Sequence, residues 1–365
     1  MEKLKILART IVEHSLKVKK GEKVLITYQA IESQPLVMEI VKEIIRVGGV
    51  VNLDYIDQEI NNYIRENITD GIIKDKVSRF KYDVNNYDCF VRLYYRMSDY
   101  YDKNMDKQMK NKLMDLMKPY KEIQINKRRW VLLNYPSLVD SNKANMTPQE
   151  FYDFAFSTMT VDYEKMYHDM LPLKKLMDKT SKVRITGPNT DISFSIKGMP
   201  SIICAGESNI PDGECFTAPI KNSVNGTITY NVPSPYEGEL FTNVSLTFKN
   251  GKIVAFNSNN NKKMEEIFNT DEGARYVGEF SLGLNPLIME PMGDILYDEK
   301  IAGSLHFTPG CSYDECPNGN KSSVHWDLVL IQRPEHGGGC VYFDDVLIRK
   351  DGLFVIPELM GLNYK

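Results

Sequence analysis

Near the C-terminus, Val324-His325-Trp326-Asp327-Leu328-Val329-Leu330 sets an imidazole and a carboxylate two positions apart in an apolar, strand-like run. Side chains alternate faces along a strand, so His325 and Asp327 are expected to point the same way. Two metal-capable groups on one rigid element could begin a metal site, although a strand with one polar face produces the same pair. Only five histidines are present: His14, His168, His306, His325 and His336. His14 and His168 fall in helical patterns, and His336 sits in the glycine-rich loop Glu335-His336-Gly337-Gly338-Gly339. His306, in Gly303-Ser304-Leu305-His306-Phe307, shares β-like surroundings with His325.

Local context selects two carboxylates to accompany them. Glu214 follows the turn Pro211-Asp212-Gly213 and opens the apolar segment Cys215-Phe216-Thr217-Ala218-Pro219. Glu279 lies between Val277-Gly278 and Phe280. A carboxylate buried among such neighbours is costly unless a hydrogen-bonded partner or a metal compensates it. A hydrogen-bonded turn glutamate is the structural alternative for either residue. Glu299-Lys300 reads as an exposed ion pair, with support of the site's ligands from behind as its alternative, and Asp344-Asp345 as a β edge or turn, with support of a histidine as its alternative.

These residues need a frame. With 365 residues, the chain exceeds the size at which one hydrophobic core usually keeps growing, so two domains are expected. The first half alternates helix and strand signals. Leu4, Leu7, Ile11, Val12 and Leu16 recur at helical spacing before the strand Lys23-Val24-Leu25-Ile26-Thr27-Tyr28. Leu36, Ile40, Val41, Ile44 and Ile45 repeat the helical pattern up to Gly48-Gly49, and strand-like runs follow at Val50–Tyr55, Cys89–Tyr94 and Trp130–Leu133. This alternation predicts an α/β N-terminal domain with a parallel sheet, residues 1–180. No GxGxxG or Walker-type loop follows any of the strands, so this half reads as a scaffold. Thr147-Pro148-Gln149-Glu150 opens a helical stretch over 148–179 that is expected to end near Lys182. Short β segments then dominate: 183–186, 191–196, 227–230, 244–248 and 252–256, the last two joined by the hairpin pair Asn250-Gly251. The expectation is a β-rich (α+β) C-terminal metal-binding domain, residues 181–365.

The net charge of −4, without a basic patch interleaved with aromatics, argues against a nucleic-acid partner. No apolar run approaches membrane-spanning length, and the start reads as amphipathic rather than as a signal peptide, so a cytoplasmic protein without membrane partners is expected. The six cysteines form no CxxC and are read as reduced and structural.

Asp212-Gly213-Glu214-Cys215-Phe216-Thr217-Ala218-Pro219, Gly278-Glu279, Leu305-His306 with Tyr313 seven residues on, and Val324-His325-Trp326-Asp327 together resemble the motifs of the M29 metallo-aminopeptidases. This is the thermophilic, or aminopeptidase T, family. The resemblance spans essentially the whole chain, including Gly187-Pro188-Asn189-Thr190-Asp191 and the α/β half. It implies that Glu214, Glu279, His306, His325 and Asp327 bind metal and that Tyr313 assists catalysis. It further implies two divalent ions (zinc, cobalt or manganese), peptide substrates with a free N-terminus, and a homodimer. The chain departs from longer members in overall length, and its stretch between Tyr313 and His325 is brief, so no specificity is carried over.

The chemistry of that ligand set closes on its own. Two four-coordinate ions offer eight positions: Glu279 as a bridge fills two, a shared water two, and the other four ligands one each. Three carboxylates against two dications leave +1, which a bridging hydroxide would neutralise. Tyr313 could donate to the developing oxyanion from beyond the Thr308-Pro309-Gly310 turn, beside His306; packing is its alternative role. The competing reading is a mononuclear non-heme iron ring-cleaving dioxygenase built on His306, His325 and Asp327. Glu214 and Glu279 discriminate against it, because a single iron has no need of two further carboxylates. A catalytically silent binding protein of the same fold is the other alternative.

Overall fold

A computed structural model of the chain describes residues 2–98 and 105–364. The chain divides into two compact units: residues 1–161 with 206–211, and residues 162–205 with 212–365.

The first unit is a parallel sheet clothed by helices. Helix α1 (Glu2–Arg9) runs into a single π-helical stretch, Thr10–Ser15, and Leu4, Leu7, Ile11, Val12 and Leu16 are all buried, as their spacing predicts. Strand β1 (Lys23–Tyr28) leads to α2 (Gln34–Arg46), which buries Leu36, Val37, Ile40 and Ile44 and stops at Gly48, whose φ of 82° is the left-handed helix end. Strand β2 (Val50–Tyr55), α3 (Gln58–Glu66), α4 (Asp70–Asn86), β3 (Cys89–Tyr95), α5 (Lys107–Lys127), β4 (Arg129–Tyr135), α6 (Leu138–Lys143) and α7 (Pro148–Met159) follow. The order β2-β1-β3-β4 is parallel throughout, and the short strand Asn209–Ile210 returns to pair with β4 at Leu132 and Leu133. Helical crossovers between parallel strands produce this layering.

The helical stretch expected over 148–182 is two helices. The capping box of Thr147 and Glu150 starts α7, but Asp162 accepts from the Lys165 amide at 2.9 Å and starts α8 (Tyr163–Met177) afresh. The division expected near residue 180 falls instead at 161/162. The reason is packing: α8 turns Tyr163, Met166, Met170, Leu173 and Met177 into the second unit's core, with Met177 Sδ 3.6 Å from Cys215 Sγ.

The second unit is β-rich. An eight-stranded antiparallel sheet runs in the order Lys252–Asn257, Ser245–Lys249, Asn225–Thr229, Thr190–Ser195, Lys182–Gly187, Cys340–Phe343, Val346–Lys350 and Leu353–Phe354. Its Asn250-Gly251 hairpin carries φ of 51° and 84°, the paired positive values of a tight turn. A five-stranded sheet runs Val329–Ile331, Ser304–Pro309, Val277–Gly283, Glu214–Thr217 and Ile202–Cys204. Phe194 of the first sheet packs on Phe280 and Phe307 of the second, with ring centroids 5.1 and 4.9 Å apart. Asp344-Asp345 forms a turn, and Asp344 accepts from the amides of Ser181 and Lys182. All six cysteines are free thiols. Among the described residues no helix is long and apolar enough to cross a membrane.

Candidate metal centre

Three adjacent strands of the five-stranded sheet carry three of the predicted residues. Alternation decides their direction: Phe280 and Phe307 face the aromatic layer against Phe194, so Glu279, Ser281, His306 and Thr308 emerge on the opposite face. Antiparallel pairing then brings Ser281 opposite His306, Glu279 opposite Thr308 and Glu214 opposite Gly283. Glu214, Glu279 and His306 are 7%, 3% and 1% exposed, a depth at which ionisable groups are kept only with partners.

His325 and Asp327 arrive from the side. The segment around them is extended but is not the continuous strand that its sequence suggests: His325 makes one isolated bridge to Gly310, and the strand proper is Val329–Ile331. Alternation still holds. Trp326 buries itself against Tyr236, Phe241 and Phe268, leaving His325 and Asp327 on the other side.

All five predicted ligands come together as two triads that share one residue. Glu214, Glu279 and His306 form one, and Glu279, His325 and Asp327 the other. His306 Nε2 lies 3.3 Å from Glu214 Oε2 and 3.3 Å from Glu279 Oε1. His325 Nε2 lies 3.3 Å from Glu279 Oε2 and 3.3 Å from Asp327 Oδ1. Two ligands on one tetrahedral ion with bonds of about 2.0–2.1 Å stand roughly 3.3–3.4 Å apart, so these separations suit a shared cation. His325 Nδ1 donates to the Cys311 carbonyl at 2.9 Å, which leaves Nε2 to face the carboxylates. Ser281 Oγ donates to Glu214 at 2.9 Å and Thr308 Oγ1 to Asp327 at 2.7 Å. Gly278 makes room for this: a Cβ there would stand 2.1 Å from the Cys311 carbonyl oxygen that His325 needs.

The charges are mutually dependent. Burial disfavours an imidazolium at His306, yet its hydrogen bond to Glu279 and the charges of Glu214 and Glu279 raise it to about 9. His325 is likewise lifted well above its ordinary value against desolvation, chiefly by Asp327. Burial works against ionising Glu279 and Asp327, but the two histidines hold both carboxyls below their usual range. The centre binds positive charge in some form, protons or metal.

The preferred sequence reading of one part, an exposed pair, does not hold. Lys300 is buried and Glu299 half-buried, not an exposed pair: Lys300 has no solvent exposure, its Nζ lies 3.1 Å from Glu214 Oε1 and 4.0 Å from Asp212 Oδ1, and it binds Glu299 Oε1 closely. Burial opposes its charge, but Glu214, Glu299 and Asp212 hold it protonated. The signal available was the apolar company of Ile301-Ala302 just beyond it. Tyr313 lies beside His325 rather than His306, with ring centroids 4.8 Å apart, and is 45% exposed. The chain continues as strand through Pro309, so the turn toward His306 does not form there. Among the described residues His306, His325 and Asp327 do not form one group of three, as an iron triad requires: His325 and Asp327 group with Glu279, and His306 groups with Glu214 and Glu279 or with Glu299 and Asp327. His336 gathers with Glu290 and Glu335 elsewhere, where buried Arg333 already pairs with both carboxylates.

A family model described as thermophilic metalloprotease (M29) matches residues 1–337. Aminopeptidase AmpS of Bacillus subtilis (strain 168) is 38% identical over 127 residues, 33% of this chain and 30% of that protein. Aminopeptidase 2 of Geobacillus stearothermophilus is 40% identical over 144 residues, 33% of this chain and 34% of that protein. The chain thus spans about a third of the length of these curated relatives. In fold it is similar to wild-type AmpT from Thermus thermophilus, with a TM-score of 0.77 at 20% identity over 97% of this chain and 99% of that one. By the match over residues 1–337, the chain belongs to the thermophilic metalloprotease (M29) family.

Proposed function

We propose that this protein is a metal-dependent aminopeptidase that removes the N-terminal residue of peptides at the Glu214, Glu279, His306, His325 and Asp327 centre. The observation that carries the reading is Glu279, whose two oxygens each lie 3.3 Å from a different histidine. Such a carboxylate suits two divalent ions, of which zinc, cobalt and manganese accept this mixture of nitrogen and oxygen donors. Bound there, the ions would supply Lewis acidity toward the scissile carbonyl and a water acidified to a pKa of about 7.

The protein's own groups define the rest. Glu214 and His306 would hold metal in one half of the centre and Asp327 and His325 in the other, with Glu279 within reach of both. Thr308, Ser281 and the Cys311 carbonyl keep Asp327, Glu214 and His325 in a single orientation. Tyr313, half-open to solvent beside His325, is the group able to meet substrate. Desolvation and the charges of Glu279 and Asp327 keep its phenol protonated, so it acts as a hydrogen-bond donor to the oxygen that gains charge. A cytoplasmic homodimer completes the proposal, and light scattering at several concentrations tests the dimer.

The test of function compares a short leucine-led peptide with its N-acetylated twin, using protein stripped and reloaded with cobalt, zinc or manganese. Metal-dependent release of leucine from the free-amine peptide alone is expected. Hydrolysis of neither peptide under any of the metals refutes the proposal.

A further inference from the structure

The first unit holds a cavity of about 1030 Å³, bounded by one face of the parallel sheet and by α3, α4 and α5. That is the upper end of the range for small-molecule sites, about 300–1,000 Å³. Two rows of the sheet set its character. Leu25 is paired in register with Phe90, and two residues further on Thr27 is paired with Asp54 on one side and Arg92 on the other. Residues two apart on a strand share a face. Leu25 and Phe90, 7% and 3% exposed, therefore make an apolar floor, and Asp54, Thr27 and Arg92 a polar row at the carboxyl ends of the strands. Phe80 of α4 and Leu113 and Met117 of α5 add apolar walls. Open parallel sheets take ligands outside the carboxyl ends of their strands, where the strand order reverses; the order β2-β1-β3-β4 reverses between β1 and β3.

The polar row is unbalanced in charge. Arg79 binds Asp54 at 2.8 Å, but Arg92 meets no carboxylate among the described residues: its Nη2 donates to the amide oxygen of Gln124 at 2.7 Å. Lys121, three residues before Gln124 on α5, also lines the cavity and is likewise unpaired among the described residues; desolvation and the nearby charge of Arg92 lower its pKa. Six cationic and four acidic side chains line the cavity, an excess of positive charge in a chain whose net charge is −4. We propose that this cavity binds an organic anion whose carboxylate or phosphate head lies between Arg92 and Lys121 and whose apolar body covers Leu25 and Phe90. The planar guanidinium of Arg92, oriented by Gln124, suits two oxygens of such a head, and the Lys121 ammonium a third contact. Bound there, the anion removes the repulsion between the two cations. The inference does not rest on the metal-centre reading.

The experiment is calorimetric titration of the full chain with octanoate, octyl phosphate and octanol, which share one apolar chain and differ in the head, in wild type, Arg92→Gln and Lys121→Gln. Wild type is expected to bind one anion per chain, with octanol bound at least about tenfold more weakly, the scale of a lost hydrogen bond to a charged group. The tighter of the two anions identifies the head group. Each substitution should weaken anion binding by about tenfold or more and leave octanol unaffected. Arg92→Gln also removes the support of Gln124, so Lys121→Gln, which breaks no ion pair among the described residues, is the decisive variant; an unchanged melting temperature without ligand shows that its fold is intact. Three results would each overturn the proposal: no saturable binding of either anion, octanol bound as tightly as the anions, or anion affinity of Lys121→Gln within about threefold of wild type.

Discussion

Loading the centre with metal should expel protons, and their number can be worked out from its geometry. In the metal-free protein at pH 7, His306, raised to about 9, and His325, lifted well above its ordinary value, both carry a proton between carboxylates. Glu214, Glu279 and Asp327 then face two imidazolium groups, for a local charge of −1; two dications on neutral imidazoles convert this to +1. Two protons must leave per chain, and a third if a bound water ionises. Because the metal-free form binds more protons, rising pH favours loading. Displacing a proton from a group of pKa about 9 at pH 7 costs about 2 pH units at 1.36 kcal/mol each, on the order of 3 kcal/mol, or a hundredfold in affinity. Calorimetric titration with zinc at pH 7, in two buffers of different ionisation enthalpy, counts the released protons. Affinity should climb steeply as pH rises toward about 9, where His306 gives up its proton. Release of fewer than one proton per chain would refute the reasoning, since the histidines would then be either neutral beforehand or not ligands.

Three further outcomes are expected. Thr308→Val removes the 2.7 Å hydrogen bond to Asp327 while keeping the shape of the side chain, and should lower metal affinity about 10–100-fold by equilibrium dialysis. Tyr313→Phe should cut kcat by about a hundredfold or more with metal content unchanged, and full turnover would remove its assigned role. Trp326→Ala, at a side chain stacked on Tyr236 and bonded through Nε1 to Ser234 at 2.9 Å, should cost about 3–5 kcal/mol in denaturant unfolding, the range for deleting a core aromatic.

Much of the centre was legible because its cues are local. Alternation along Val324–Asp327 put His325 and Asp327 on one side whether or not a strand formed, because extended backbone alone enforces that direction. Glu214 and Glu279 stood out as charges inside apolar runs, and their burial follows from those runs. The Asn250-Gly251 hairpin and the Thr147 helix start needed only neighbouring residues to specify their geometry.

Other features depended on the folded chain. The split of 148–182 into two helices turned on which core α8 serves, a matter of Met177 meeting Cys215 across the fold. Tyr313 went to His325 because pairing with the neighbouring strands extends the chain through Pro309. Glu299-Lys300 looked like a surface pair because adjacent opposite charges usually are one. Only the arrival of Glu214 from 86 positions upstream makes burial of Lys300 tolerable. Local sequence determined which groups could serve the site and how each segment turned them. Tertiary structure decided which distant charges share one low-dielectric space, because Coulomb energy depends on separation and burial in three dimensions rather than on distance along the chain.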